Sequence, residues 1–197
     1  MSSSQRMNIK LGIAATAFLM VACGQDTPIV QQATATTAQP SLTPSPQFDN
    51  IPGQYPRQAP DVPGAKSAPV GACVSLEGKR DAPKLNVVDC GSSTNGFKIV
   101  QRVSTPDQCP KDVDQRFYRY PEDEGEWTAC LDLAWSANDC LVTNQTSARR
   151  VACDDKNAAN RVKPVAVLLD VTDISGCKET GYAHPERKFT VCIETQG

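Results

Sequence analysis

Residues 73–90, Cys73-Val74-Ser75-Leu76-Glu77-Gly78-Lys79-Arg80-Asp81-Ala82-Pro83-Lys84-Leu85-Asn86-Val87-Val88-Asp89-Cys90, read as a β-hairpin with a cysteine at each outer end. The midpoint falls at Asp81-Ala82, inside the turn-like GKRDAP. Antiparallel strands joined there bring their outer ends face to face, which sets Cys73 opposite Cys90. The arrangement recurs at residues 140–153, CLVTNQTSARRVAC, whose midpoint Thr146-Ser147 lies in the turn-like NQTSA. Cys140 then faces Cys153.

The recurrence extends beyond the hairpins. Cys73-Val74-Ser75-Leu76 aligns with Cys140-Leu141-Val142-Thr143, and Val88-Asp89-Cys90 with Val151-Ala152-Cys153. A β-rich segment follows in each half, residues 97–103 in the first and 165–171 in the second, and after it an isolated cysteine, Cys109 or Cys177. Each half closes on a strand-like run with a fourth cysteine, WTACLDL around Cys130 and FTVCIET around Cys192. This is an internal duplication of a unit of roughly 60 residues.

Nine cysteines occur in 197 residues, and the eight that fall in the duplicated region allow 105 pairings. Once the two hairpin pairs are set, elimination within each half leaves Cys109 with Cys130 and Cys177 with Cys192, and a cross-link between the halves is the rival arrangement. Zinc is the other use of clustered cysteines, but no C-x₂-C occurs and the spacing favours disulfides. A unit of about 60 residues buries too little surface to be firmly stable alone, and each closed loop of about 15 residues adds up to about 3 kcal/mol. Pro110, with Val113 and Phe117 four residues apart, predicts a short helix before the last strand. The expected fold is therefore α+β and β-rich: two tandem bridged units, residues 70–139 and 140–197, each β-β-β-(short α)-β.

Upstream, Arg6 and Lys10 precede an apolar run from Leu11 to Ala22, the length of a signal-peptide core, which ends in Met20-Val21-Ala22-Cys23-Gly24. Residues 1–22 read as a signal peptide, with Met7 as an alternative start. Ala22 before Cys23, with apolar Val21 and Met20 ahead of it, resembles the lipobox of bacterial lipoproteins; the resemblance implies a lipid on Cys23, and several acyl chains at about 0.8 kcal/mol per buried CH₂ anchor far more firmly than one. Residues 24–69 hold nine of the fifteen prolines with many Thr, Ala, Gln and Ser. That composition predicts a disordered tether between the lipidated Cys23 and the folded region.

The pattern Gly71-Ala72-Cys73-Val74, Val88-Asp89-Cys90, Cys109-Pro110 and Cys130-Leu131, behind a lipidation box and a Pro/Thr spacer, resembles the LppU-type lipoproteins of actinobacteria. The resemblance covers the folded region and implies a cell-envelope address on the outer face of the membrane. It implies no activity.

Few residues point to chemistry. His184 is the only histidine and the one ready general base near neutral pH, which makes a wall hydrolase or transferase the alternative reading. No G-x-S-x-G, H-E-x-x-H or S-x-x-K accompanies it. The acidic run Pro121-Glu122-Asp123-Glu124-Gly125-Glu126 is rich in oxygen but lacks the spaced ligand order of a calcium loop. Arg149, Arg150, Lys156, Arg161 and Lys163 are candidates for a face toward an anionic polymer or headgroup. Phe117, Tyr118, Tyr120, Trp127 and Trp135 are expected in the core and between the halves; if several are exposed together, they mark a groove for a sugar, peptide or protein. The formal charge of −2 argues against a nucleic-acid partner. No motif calls for a cofactor or a metal. The expected partners are the membrane, through the lipid, and an envelope protein, glycan or lipid.

Overall fold

A computed structural model describes residues 47–56, 62–79, 82–120, 123 and 125–197. The chain divides into Met1–Leu42 and Thr43–Gly197, and all described residues belong to the second unit. The signal peptide, Cys23 and residues 24–46 of the expected tether lie outside the described residues, as do Arg80, Asp81, Pro121, Glu122 and Glu124.

Among the described residues ten strands form two five-stranded antiparallel sheets: β1 (Cys73–Lys79), β2 (Ala82–Val88), β3 (Phe97–Val103), β4 (Gln115–Arg119) and β5 (Trp127–Leu133) in the first, β6 (Cys140–Thr143), β7 (Ala148–Val151), β8 (Arg161–Leu169), β9 (Thr180–His184) and β10 (Phe189–Gln196) in the second. The orders are β2-β1-β3-β5-β4 and β7-β6-β8-β10-β9, the same topology twice. Register repeats as well. Cys73 pairs with Val88 and Cys140 with Val151, each partner two residues before the next cysteine. Val74 faces Phe97 as Leu141 faces Val162. Each sheet also carries a β-bulge at its fourth cysteine: the ladder skips Val100 opposite Cys130 and Leu131, and Val165 opposite Cys192 and Ile193. The second bulge accommodates Pro164, which has no N–H to give to a regular ladder. Strand β8 thus begins at Arg161, four residues before the segment read from the sequence.

The expected α element is corrected. The only helical turn among the described residues is a 3₁₀ turn, Pro106–Gln108, and the stretch in which Val113 and Phe117 suggested a helix forms strand β4 instead. Arg-Phe-Tyr is better accommodated on a pleated edge than in a helix, and Val113 and Phe117 are also compatible with an alternating pattern, both being buried.

Disulfides join Cys73–Cys90, Cys109–Cys130, Cys140–Cys153 and Cys177–Cys192, the four pairs that the hairpin spacing and elimination suggest. Each sits in its own half, so no bridge crosses between them. Apolar packing makes that connection. One cluster gathers Val74, Phe97, Ile99, Trp127 and Leu131 from the first sheet with Leu141, Ala148, Phe189, Val191 and Ile193 from the second. The halves are repeats in topology and share one core, so the two tandem bridged units are two copies of one topology within a single packed body. Gly96 shows how closely they meet: a Cβ there would lie 2.0 Å from the Ala148 carbonyl oxygen.

The end of the expected tether is also corrected. Phe48, Ile51, Gln54 and Ala68 are buried, and Phe48, Ile51 and Ala68 belong to the shared core. Gly64, at φ +85°, lies on the face of the Trp127 indole, where a Cβ would approach ring atoms to 2.7 Å. Proline-rich composition hid a few apolar anchors whose burial outweighs the cost of ordering this segment.

Candidate functional site

Two features of the folded unit combine polar chemistry with defined geometry. The first is buried. The turn between β9 and β10, residues 185–188, delivers Arg187 into the junction between the halves, where its Nε donates to Asp112 Oδ1 at 2.8 Å. Its Nη1 and Nη2 fork onto Asp132 of β5 at 2.7 and 2.9 Å. Nη1 also donates to the Gln54 carbonyl at 3.0 Å and Nη2 to that of Asp112 at 3.1 Å. One guanidinium therefore ties the second half to the first and to the N-terminal segment, in the bidentate geometry that only arginine offers.

The charges around Arg187 do not balance if every group is ionised. Three carboxylates, Asp112, Asp114 and Asp132, lie near one guanidinium. Burial alone would raise the Asp112 carboxyl, but the Arg187 backbone hydrogen bond, charge and side-chain bond outweigh it and hold it below the usual carboxylate range. Asp114 takes the opposite course: burial first, then the Asp132 charge, push it up to about 8, against a hydrogen bond from the Leu133 amide at 2.8 Å. A neutral acid there relieves the repulsion.

His184 belongs to the same network. Its ring is 1% exposed and stacks on Phe189 with centroids 4.2 Å apart. Nδ1 lies 2.8 Å from the Asp112 carbonyl oxygen and 2.9 Å from Arg187 Nη2, while the buried Nε2 has no hydrogen-bond partner. Burial lowers its pKa, despite the attraction of Asp132. The histidine singled out as a general base is thus packed against an arginine and a peptide carbonyl, and neither is a nucleophile.

The second feature is open. A groove of about 760 Å³ runs between β1 and β4, lined by Leu76, Glu77, Lys79, Arg116, Phe117 and Tyr118 among others, with Gln145, Thr146 and Ser147 of the β6–β7 turn at one end. A second hollow of about 480 Å³ adjoins it and shares Phe117, with Leu85, Asn86 and Val87 of β2 on one side and Arg119 and Trp127 on the other. Strands β2 and β4 stand at opposite ends of the sheet order, yet both line this second hollow. The first sheet therefore curls until its two edges face one another, and no ladder joins them.

The aromatic residues divide accordingly. Trp127, Trp135 and Phe117 are buried, and Trp135 meets Tyr182 of the second half with ring centroids 5.1 Å apart. Tyr118 is 42% and Tyr120 74% exposed. Tyr118 lines the groove, and its hydroxyl donates to Glu126. The basic residues do not form one face: Arg161 is buried and donates to the carbonyls of Cys153, Asp155 and Ala158, while Arg150 pairs with Asp139 at 3.0 Å. Among the described residues no group of three or more His, Cys, Asp or Glu is placed to hold a metal ion. Of the acidic run, only Asp123, Gly125 and Glu126 are described.

Sequence reasoning passed over Arg187, Asp112, Asp114 and Asp132, which entered it only as members of a charge count. The available signal was the alternation Asp112-Val113-Asp114, which places two acids on one side of an apolar residue entering an edge strand. Compared with known families, curated proteins and solved structures, the chain matches none.

Proposed function

We propose that this chain is an exported lipoprotein, held to the outer face of a membrane through lipid on Cys23, and that its folded unit is a non-catalytic module that binds an envelope partner in the groove beside β4. The cysteine arithmetic carries this reading. Eight of the nine cysteines close four repeated bridges, which leaves Cys23, at the lipidation box, as the one outside the pattern. Four disulfides in a unit of this size suit an oxidising compartment. The histidine, the strongest candidate for catalysis, serves a buried structural network, whereas the open surface offers hydrogen-bonding side chains, an exposed tyrosine and a defined hollow, as a binding site does.

Metabolic labelling with an alkyne-bearing palmitate tests the anchor. Incorporation into the full chain that disappears in Cys23→Ala supports it; equal labelling of both, or none in either, overturns it. For the wall-enzyme alternative, His184→Gln in a strain that still makes folded protein is decisive: loss of a wall-remodelling phenotype at wild-type protein levels would favour the enzyme.

A further inference from the structure

The segment before β1 carries a repeat of its own. Ile51-Pro52-Gly53 and Val62-Pro63-Gly64 are the same step, a β-branched residue, then proline, then glycine, and both glycines hold φ +85°. Each glycine sits against an aromatic residue at the same place in its half. Gly64 lies on the indole of Trp127, three residues before Cys130; Gly53 lies beside Phe189, three before Cys192, where a Cβ would stand 3.9 Å from the ring and 2.8 Å from the Arg187 carbonyl oxygen. An arginine holds the backbone near each turn. Arg102 donates to the carbonyls of Val62 and Ala68, and Arg187 to that of Gln54. Two Pro-Gly turns thus cover the two copies of one topology, but both arrive from the N-terminal side, and residues 134–139 between the halves contain neither proline nor glycine.

The two turns differ in how they are joined to the body. Beyond Gly64 the Gly71 amide donates to the Ile99 carbonyl and the Ile99 amide to that of Ala72, so the chain from Val62 onward runs directly into the pairing of β1 with β3. Residues 47–56 pair with no strand among the described residues, and the four disulfides all lie between residues 73 and 192. Their attachment is a set of point contacts: Phe48 and Ile51 enter the shared core, the Gln54 side-chain amide donates to Asp132 at 3.2 Å, and Lys98 Nζ donates to the Asp49 carbonyl at 2.9 Å. The seat has its own supports. His184 stacks on Phe189 with centroids 4.2 Å apart, and Asp112 and Asp132 fix Arg187, all of them outside residues 47–56. The turn is favoured locally as well: the Gln54 amide donates to the Ile51 carbonyl at 3.0 Å across Pro52 and Gly53, the residues such a turn prefers at its two central positions. Proline also reduces the freedom that the segment loses when it closes.

We propose that residues 47–56 are a clasp that opens and closes as a unit while the two sheets stay folded, and that this gives the tether two lengths. Segments held by few contacts and no ladder open at a lower free energy than the whole fold. Closed, the chain is held to the body from residue 47; open, it is held from Val62, and the released residues 47–61 span up to about 50 Å. Load transmitted from the membrane enters the folded body at residue 47, so the clasp is the first contact to bear it. The change in tether length rests on the anchor at Cys23, whereas the opening of the clasp does not.

The test stretches the disulfide-intact full chain, made without lipid, in an optical trap between handles at Cys23 and Gly197. The expected result is a reversible step of up to about 50 Å in contour length at a force below that which unfolds the sheets. Gly53→Ala sets a Cβ against the Arg187 carbonyl at a positive φ, and should raise the open-to-closed ratio at a given force at least tenfold. Without load, the Gln54 amide should exchange hydrogen at least tenfold faster than the Val191 amide of β10, after correction for intrinsic rates. Three results would overturn the proposal: the chain lengthens only when the sheets unfold; the Gln54 and Val191 amides exchange within tenfold of each other; or folded Gly53→Ala raises the ratio by less than tenfold. The first two are read on the unaltered chain and decide the matter if Gly53→Ala fails to fold. Palmitate labelling reads the anchor and the trap reads the clasp, so a failure of one is distinguishable from a failure of the other.

Discussion

Replacing Arg187 by methionine removes the guanidinium of the buried junction while keeping most of its volume. Five hydrogen bonds to oxygen disappear, two to Asp132, one to the Asp112 carboxylate and two to the carbonyls of Asp112 and Gln54, together with the Nη2 contact to His184 Nδ1. Asp112 keeps the amides of residues 186 and 187, and Asp132 keeps the Gln54 side-chain amide at 3.2 Å. What remains is a buried carboxylate pair without a counter-charge, and breaking a buried pair by removing one partner costs about 3–5 kcal/mol. Urea unfolding of the disulfide-intact protein, followed by far-UV circular dichroism at pH 7, measures the loss. It should shrink toward pH 5 as a freed carboxyl takes up a proton, and the double variant Arg187→Met with Asp132→Asn should recover part of it. A loss below about 1 kcal/mol at pH 7 would refute the reasoning, because it would mean that water reaches the junction and screens it.

Other consequences follow from the same structure. Asp114 keeps its proton in the native state until about pH 8 but loses it near pH 4 when unfolded; its contribution is fully present below pH 4 and is lost as the pH rises to about 8, so Asp114→Asn should flatten the fall in stability across that window and be the more stable protein at pH 8. Unfolding titrations at pH 5 and pH 8 check this, and parallel curves for the two proteins would contradict it. Replacing Cys109 and Cys130 together by alanine opens a bridge spanning 21 residues and should cost about 3 kcal/mol in thermal or urea unfolding. Phe48→Ala should destabilise by about 3–5 kcal/mol, although the residue lies in a stretch that reads as linker; a change within about 0.5 kcal/mol would return residues 47–56 to the tether.

How much of this was readable in the sequence depends on how local the cause is. Cys73 with Cys90 and Cys140 with Cys153 flank hairpins of fewer than twenty residues, so turn position and strand pairing alone bring them together. The repeat carried the other two pairs. Strand β4 was misread because Val113 and Phe117 satisfy both a helical and an alternating spacing over so short a run, and only pairing with β5 decides between them. Phe48 and Ile51 were overlooked since composition averages over a window, and two anchors among prolines barely move the average. Nothing local distinguishes Arg187 from any surface arginine: its partners lie 55 and 75 residues away in sequence. The groove is foreshadowed in the sequence only by its aromatics, because its walls come from β1, β4 and the β6–β7 turn, which meet only after folding.

A photo-crosslinking residue placed at the exposed Lys79, on the rim of the groove, and in a separate chain at the exposed Asn157, away from it, gives the most direct test in intact cells that make the full chain. The account predicts one discrete protein adduct from position 79 that is absent from position 157 and is suppressed by Thr146→Trp, which fills the groove. Equal adducts from both positions, or an adduct at 157 alone, would contradict the claim that this groove is where the module binds.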